Sequence, residues 1–142
     1  MTSKVKICHN PACGTSRNTL ALIQNTGEEP EIIEYLVNPP SKTELINLIE
    51  QSGLSVREAI RKNVKPFETL KLDQLHWTDE QLINFMLEYP ILMNRPFVVT
   101  ELGVKLCRPS ELVLDILSAP QLGAFNKEDG EIIIDKNGKR VR

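Results

Sequence analysis

Residues 5–24 read VKICHNPACGTSRNTLALIQ, and this stretch decides the fold. Val5 and Ile7 flank Lys6, an alternation that predicts a short strand running into Cys8. His9, Asn10 and Pro11 break that strand. From Ser16 the spacing turns helical, with Leu20 and Ile23 on one face and Gly27 placed to stop the helix. "EIIEYL", residues 31–36, predicts a second strand. A strand, a helix and a second strand in this order need a crossover, which favours a parallel pair.

The middle of the chain is helical and well punctuated. "SKTE" (41–44), "SVRE" (55–58) and "TDEQ" (78–81) each match the capping box, in which a hydroxyl and a later Glu or Gln satisfy each other's orphan N–H groups. They predict a helix ending near Gly53, a short helix ending around Arg61, and a helix ending before Pro90. The period then changes. "RPFVVT" (95–100) and "VKLC" (104–107) predict a hairpin across Glu101, Leu102 and Gly103. "PSELVLDIL" (109–117) predicts a last helix with Leu112, Val113, Ile116 and Leu117 inward. For the tail, "EIIIDKNGKRV", two readings stand: a small hairpin turning at Asn137-Gly138, or a loosely attached extension.

The predicted order is therefore β-α-β, a helical insert over about residues 40–90, then β-β-α. This is an α/β fold with a mixed four-stranded sheet. A chain of 142 residues fits a single domain, 1–142, with a C-terminal extension over about 120–142. The net charge of −2 implies no broad basic face, so no nucleic-acid partner is expected. The absence of any apolar run near ~18 residues argues against a membrane partner, and "MTSKVKIC" lacks the apolar stretch of a secretory leader. The expected location is cytoplasmic. Three cysteines, Cys8, Cys13 and Cys107, do not make a disulfide framework in such a compartment. No metal site and no bound cofactor are expected.

Cys13 sits just before the first helical turn, where unpaired N–H groups and the helix dipole favour negative charge. That setting lowers a thiol pKa, and the thiolate is the nucleophile. Gly14 lets the backbone come close, and the Ser16 hydroxyl is placed to donate to the sulfur. The N–H groups of the same turn, at Gly14 and Thr15, would also receive an oxyanion. The alternative is that Cys13 is a buried filler. Spacing excludes two other chemistries. A dithiol switch needs Cys-x-x-Cys, but position 16 is Ser; a phosphatase cradle needs Cys-x5-Arg, but position 19 is Thr. What remains is a single-thiol site that must recruit its resolving thiol from elsewhere.

Arg95-Pro96 and Arg108-Pro109 place two arginines at the entrance and exit of the predicted hairpin, and Arg61 ends the short capped helix. Guanidinium groups hold oxyanions bidentately, as lysine does not. Three of them beside Cys13 would make an anion site; three solvated surface groups are the other reading. His9 has roles open to it as loop orienter, thiolate partner or proton donor, or as a histidine satisfied by backbone. Cys8 and Cys107 close apolar strands and are read as structural.

Taken together, "HNPACGTSRNTL" (9–20), "IRKNVKPFE" (60–68), "YPILMNRPFVVT" (89–100), "LCRPSE" (106–111) and "FNKEDGE" (125–131) resemble the glutaredoxin-dependent arsenate reductases, which are bacterial detoxification enzymes. The resemblance runs over nearly the whole chain. It implies a thioredoxin-like fold with a cis proline at Pro96, and Cys13 as the nucleophile that attacks arsenate. It implies Arg61, Arg95 and Arg108 as oxyanion ligands, with His9 and Ser16 supporting the thiolate. Glutathione is then a co-substrate and glutaredoxin a protein partner. One departure is Cys8, where such enzymes usually carry tyrosine. Two other readings remain open at this point: a redox-responsive regulator of the same superfamily that binds RNA polymerase, and a glutathione-dependent thiol transferase.

Overall fold

The computed structural model describes residues 5–141. The chain divides into two units, one built from residues up to Ile33 and from Arg95 onward, the other from Glu34–Asn94.

The first unit holds a four-stranded sheet in the order β2-β1-β3-β4, with β1 at Lys6–His9, β2 at Glu31–Glu34, β3 at Phe97–Thr100 and β4 at Gly103–Leu106. β1 and β3 are antiparallel, as are β3 and β4. The hairpin is tight because Thr100 pairs directly with Gly103, leaving Glu101 and Leu102 as the turn. Gly103 has φ 147, a conformation that a residue with a Cβ resists. Helix α1, Gly14–Gln24, crosses from β1 to β2. The core gathers Val5 and Ile7, Leu22 and Ile23 from α1, Val98, Cys107, Val113, Ile116, and Ile133 and Ile134 from the tail. On α1 the buried face is Ser16, Thr19, Leu22 and Ile23, with Leu20 packed at its margin.

Three expectations are corrected here, and the structure decides between the two readings of the tail. The last helix is not α but a continuous 3-10 helix, Ser110–Ile116. Its buried Val113 and Ile116 lie three apart, a spacing that suits a three-residue turn as well as an α-turn. Leu112 and Leu117 are only partly buried. The second strand stops at Glu34 rather than running to Leu36. Of the two readings of the tail, the hairpin holds: β5, Phe125–Asn126, pairs with β6, Ile132–Ile134. A further bridge joins Ile134 to Arg140 across the turn at Asn137-Gly138.

The second unit is helical. α2 (Lys42–Ser52) and α4 (Asp79–Glu88) both begin with complete capping boxes, from Ser41/Glu44 and Thr78/Gln81. α2 ends at Gly53 in the left-handed conformation, φ 79. Between them lies α3, Lys65–Thr69, with Pro66 in its first turn, a helix the sequence reading does not predict. Leu45 and Ile49 of α2 and Leu82, Ile83 and Met86 of α4 are buried. The "SVRE" segment makes both reciprocal bonds, Ser55 N–H to Glu58 and Glu58 N–H to Ser55. It nevertheless supports only a 3-10 turn, Arg57–Ala59, not a helix reaching Arg61. Ile60 is already extended and bridges Met93, so the backbone leaves helical geometry to pair.

Candidate functional site

Strand register assembles one end of the first unit's sheet. Cys8 pairs with Phe97, and Phe97 pairs with Leu106. The next step along each strand therefore carries His9, Arg95-Pro96 and Cys107-Arg108 to the same end. The Cys107 N–H donates to the Pro96 carbonyl (2.9 Å), extending the ladder by one rung. Both Arg-Pro peptide bonds are cis, the one at Pro96 in agreement with the sequence reading.

The loop from β1 to α1 is built by side-chain turns. The Asn10 side-chain oxygen accepts from the Ala12 N–H (3.0 Å), and the Asn10 carbonyl accepts from the Cys13 N–H (3.0 Å). Short side chains of this kind replace a backbone turn. Ser16 is fully buried. Its hydroxyl accepts from the Asn10 N–H (3.0 Å) and lies 2.7 Å from His9 Nδ1. The expected Ser16 hydroxyl-to-sulfur bond is thus replaced, and the hydroxyl ties His9 to the loop instead. His9 is a loop orienter in this geometry. Asn10 was missed as a site residue, although Asn-Pro before a helix is a turn signal that would have found it.

Cys13 occupies the N-cap of α1, in extended conformation. It is 9% exposed, so it is neither sealed nor freely solvated. Burial pushes its thiol upward, but the Ser16 backbone N–H, the Arg95 charge, and the hydrogen bond and charge of Arg108 outweigh that, and the thiol lies below its ordinary value. The Ser16 backbone N–H, in the first turn of α1, is the largest of the influences that hold it down. Arg108 Nη1 lies 3.7 Å from Cys13 Sγ and also donates to the Arg95 carbonyl (3.1 Å). Arg95 is 8% exposed. Gly14 and Thr15 are the first two residues of α1, where helix geometry supplies no intrahelical acceptor for their N–H groups. A Cβ on Gly14 would meet only ordinary contacts, at 3.6 Å or more, so close backbone approach is not what fixes glycine there.

Of the three candidate arginines, Arg95 and Arg108 come together with Cys13 in the first unit. Arg61 belongs to the second unit, where its N–H donates to the Leu92 carbonyl (2.7 Å) and its side chain to Asn63 (3.2 Å). Among the described residues no cluster of His, Cys, Asp and Glu gathers to hold a metal ion. Among the described residues no helix is long and apolar enough to cross a membrane.

The other two cysteines differ from Cys13. Cys8 is 5% exposed and Cys107 fully buried, and neither forms a disulfide. Burial pushes the Cys107 thiol up to about 12. Its ordinary value is 9.0, so the folded chain resists ionising it. That contribution to stability is complete below pH 9 and is lost as pH rises toward about 12. Cys107→Val should therefore flatten the alkaline side of the stability profile, measured by urea titration between pH 8 and about 11. An unchanged alkaline slope would rule out this source.

A sheet of this order, with α1 crossing between β1 and β2, makes a thioredoxin-like α/β protein, and it sets a thiol of lowered pKa at the N-cap position of α1 with Arg95 and Arg108 beside it. The ArsC family model matches residues 8–116, and the chain belongs to the ArsC family. It is 61% identical over 140 residues to an arsenate reductase of Acidiphilium multivorum, covering 99% of both chains. An arsenate reductase of Escherichia coli is also 61% identical over 140 residues, again with 99% of each covered. Among solved structures, the arsenate reductase from Vibrio cholerae superposes with a TM-score of 0.78 at 41% identity, over 82% of this chain and 100% of that one.

Proposed function

We propose that this chain reduces arsenate to arsenite, with Cys13 as the thiol that bonds arsenic. The observation that carries the reading is Arg108 Nη1 at 3.7 Å from a Cys13 sulfur whose pKa is lowered. A cation there both keeps the nucleophile ionised and draws in an oxyanion. The names of the similar proteins supply the substrate, arsenate.

In this reading the Cys13 thiolate attacks arsenic and an arsenate hydroxyl leaves as water. Arg95 and Arg108 hold the remaining oxygens, and the Gly14 and Thr15 N–H groups face the charge that develops. Arg61 is assigned to the same task by resemblance. His9 and Ser16 keep the loop in shape. Glutathione displaces a second hydroxyl, giving arsenic bonded to both Cys13 and glutathione. A glutaredoxin thiolate then attacks the glutathione sulfur. A mixed disulfide forms, and the pair of electrons released from the sulfur–arsenic bond takes arsenic from the +5 to the +3 state. Water frees arsenite and restores the Cys13 thiol. No thiol of this chain is consumed, which suits a site without Cys-x-x-Cys. The chemistry needs a glutathione-rich compartment, hence the cytoplasm, and its use is arsenic detoxification.

The test is arsenite production by the purified chain with glutathione alone and with glutathione plus glutaredoxin. Turnover should require both. Equal turnover without glutaredoxin would remove that partner from the scheme. Cys8→Ser should leave turnover within about twofold of the original, since buried Cys8 sits in the β1 ladder opposite Phe97; its loss would instead point to a dithiol route.

A further inference from the structure

The segment after the last 3-10 helix lies outside the residues the family model matches, and it runs back along α1. At the C-terminal end of α1, Asn25 donates to the Gln121 side chain (2.7 Å) and the Gly123 carbonyl (2.9 Å), while Gln121 donates to the Leu22 carbonyl (2.8 Å). At the N-terminal end, the Glu128 N–H donates to the Asn18 side chain (3.1 Å). The Glu128 carboxylate takes Arg17 in a fork, Nε to Oε2 at 2.8 Å and Nη2 to Oε1 at 2.9 Å. The remaining arm of the same guanidinium, Nη1, donates to the Pro11 carbonyl at 2.8 Å. Pro11 lies in the loop that ends at Cys13. The neighbouring Lys127 anchors the segment through a poorly exposed pair with Glu111 (2.8 Å).

We propose that Arg17 and Glu128 are positioning residues for the Cys13 loop: the C-terminal segment presents a carboxylate that aligns the Arg17 fork, and the aligned fork holds the Pro11 carbonyl. This inference rests on the reading that Cys13 is the reacting thiol. The pairing also turns a cation that interacts with the Cys13 charge toward Glu128 and Pro11. Two of its donor directions are taken by Glu128 and a third by the backbone, so an incoming oxyanion meets Arg95 and Arg108 instead. A simple charge effect makes a different forecast. Glu128 is an anion near a thiol that works as an anion, so removing its charge alone would favour the thiolate.

The experiment measures alkylation of Cys13 by iodoacetamide as a function of pH, with the Cys13 peptide followed by mass spectrometry. Glu128→Gln keeps the side-chain shape at an exposed position, and Arg17→Lys keeps the positive charge but lacks the fork. Each should slow alkylation at neutral pH about three- to tenfold and move the midpoint upward, and the double variant should be no slower than the worse single one. Faster alkylation in Glu128→Gln, an unchanged rate in Arg17→Lys, or losses that multiply in the double variant would each overturn the proposal. Alkylation needs no arsenate. A wild-type chain without arsenate turnover would therefore sink the proposed function and leave this test decisive on its own terms.

Discussion

Serine in place of Cys13 abolishes arsenate reduction and leaves a folded chain about as stable as the original. The hydroxyl of serine stays protonated where the thiol ionises, so no nucleophile remains for arsenic. The backbone contacts of residue 13 survive the change, its N–H to the Asn10 carbonyl and its carbonyl to the Arg17 N–H, both 3.0 Å, while the side-chain contact with Arg108 at 3.7 Å and the thiolate's charge interactions are lost. Serine is a preferred N-cap, whereas the Cys13 side chain makes no cap bond. The cap gain of about 0.5–1 kcal/mol offsets that loss, so the urea midpoint should stay close to the original. The two readouts are arsenite formation and the urea midpoint. Residual arsenite formation by a correctly folded Cys13→Ser chain would move the chemistry to another group.

Arg108→Ala should lower kcat/KM for arsenate roughly ten- to a hundredfold, corresponding to the loss of about 1.5–3 kcal/mol of charge-assisted hydrogen bonding. One guanidinium nitrogen serves two ends here, the Cys13 sulfur at 3.7 Å and the Arg95 carbonyl at 3.1 Å. Its loss removes a cation that lowers the thiol pKa, so the pH midpoint for alkylation of Cys13 should rise in the same variant. Arg108→Lys should recover part of the charge effect but not the geometry, leaving its pH midpoint closer to wild type than its turnover. If Arg95→Ala, Arg108→Ala and Arg61→Ala all turn over arsenate normally, the oxyanion reading fails and a thiol transferase acting on another substrate becomes the better account.

What the sequence made legible follows from how local each determinant is. β1, the break at Asn10-Pro11 and the start of α1 are written in neighbouring residues, so the Cys13 position is legible as a helix N-cap, although β1 runs one residue further than predicted, through His9. The capping boxes at Ser41 and Thr78 were readable for the same reason. The third box, at Ser55, misled because its bonds form regardless of what comes next, and pairing of Ile60 with Met93 ends the turn early. The final 3-10 helix was misread because an i, i+3 apolar spacing does not distinguish the two helical geometries. The Arg17–Glu128 fork joins residues 111 apart in sequence and left no local signal at all. Arg95 and Arg108 were visible as Arg-Pro steps, but that they meet at the sulfur depends on the register of three strands.

That register has a genetic corollary. A slip of one residue between β1 and β3 would turn every side chain of the displaced strand to the opposite face. Screens for loss of arsenate reduction should therefore recover lesions at Phe97 and Val98, fully shielded positions whose side chains meet no solute, alongside lesions at Cys13 itself.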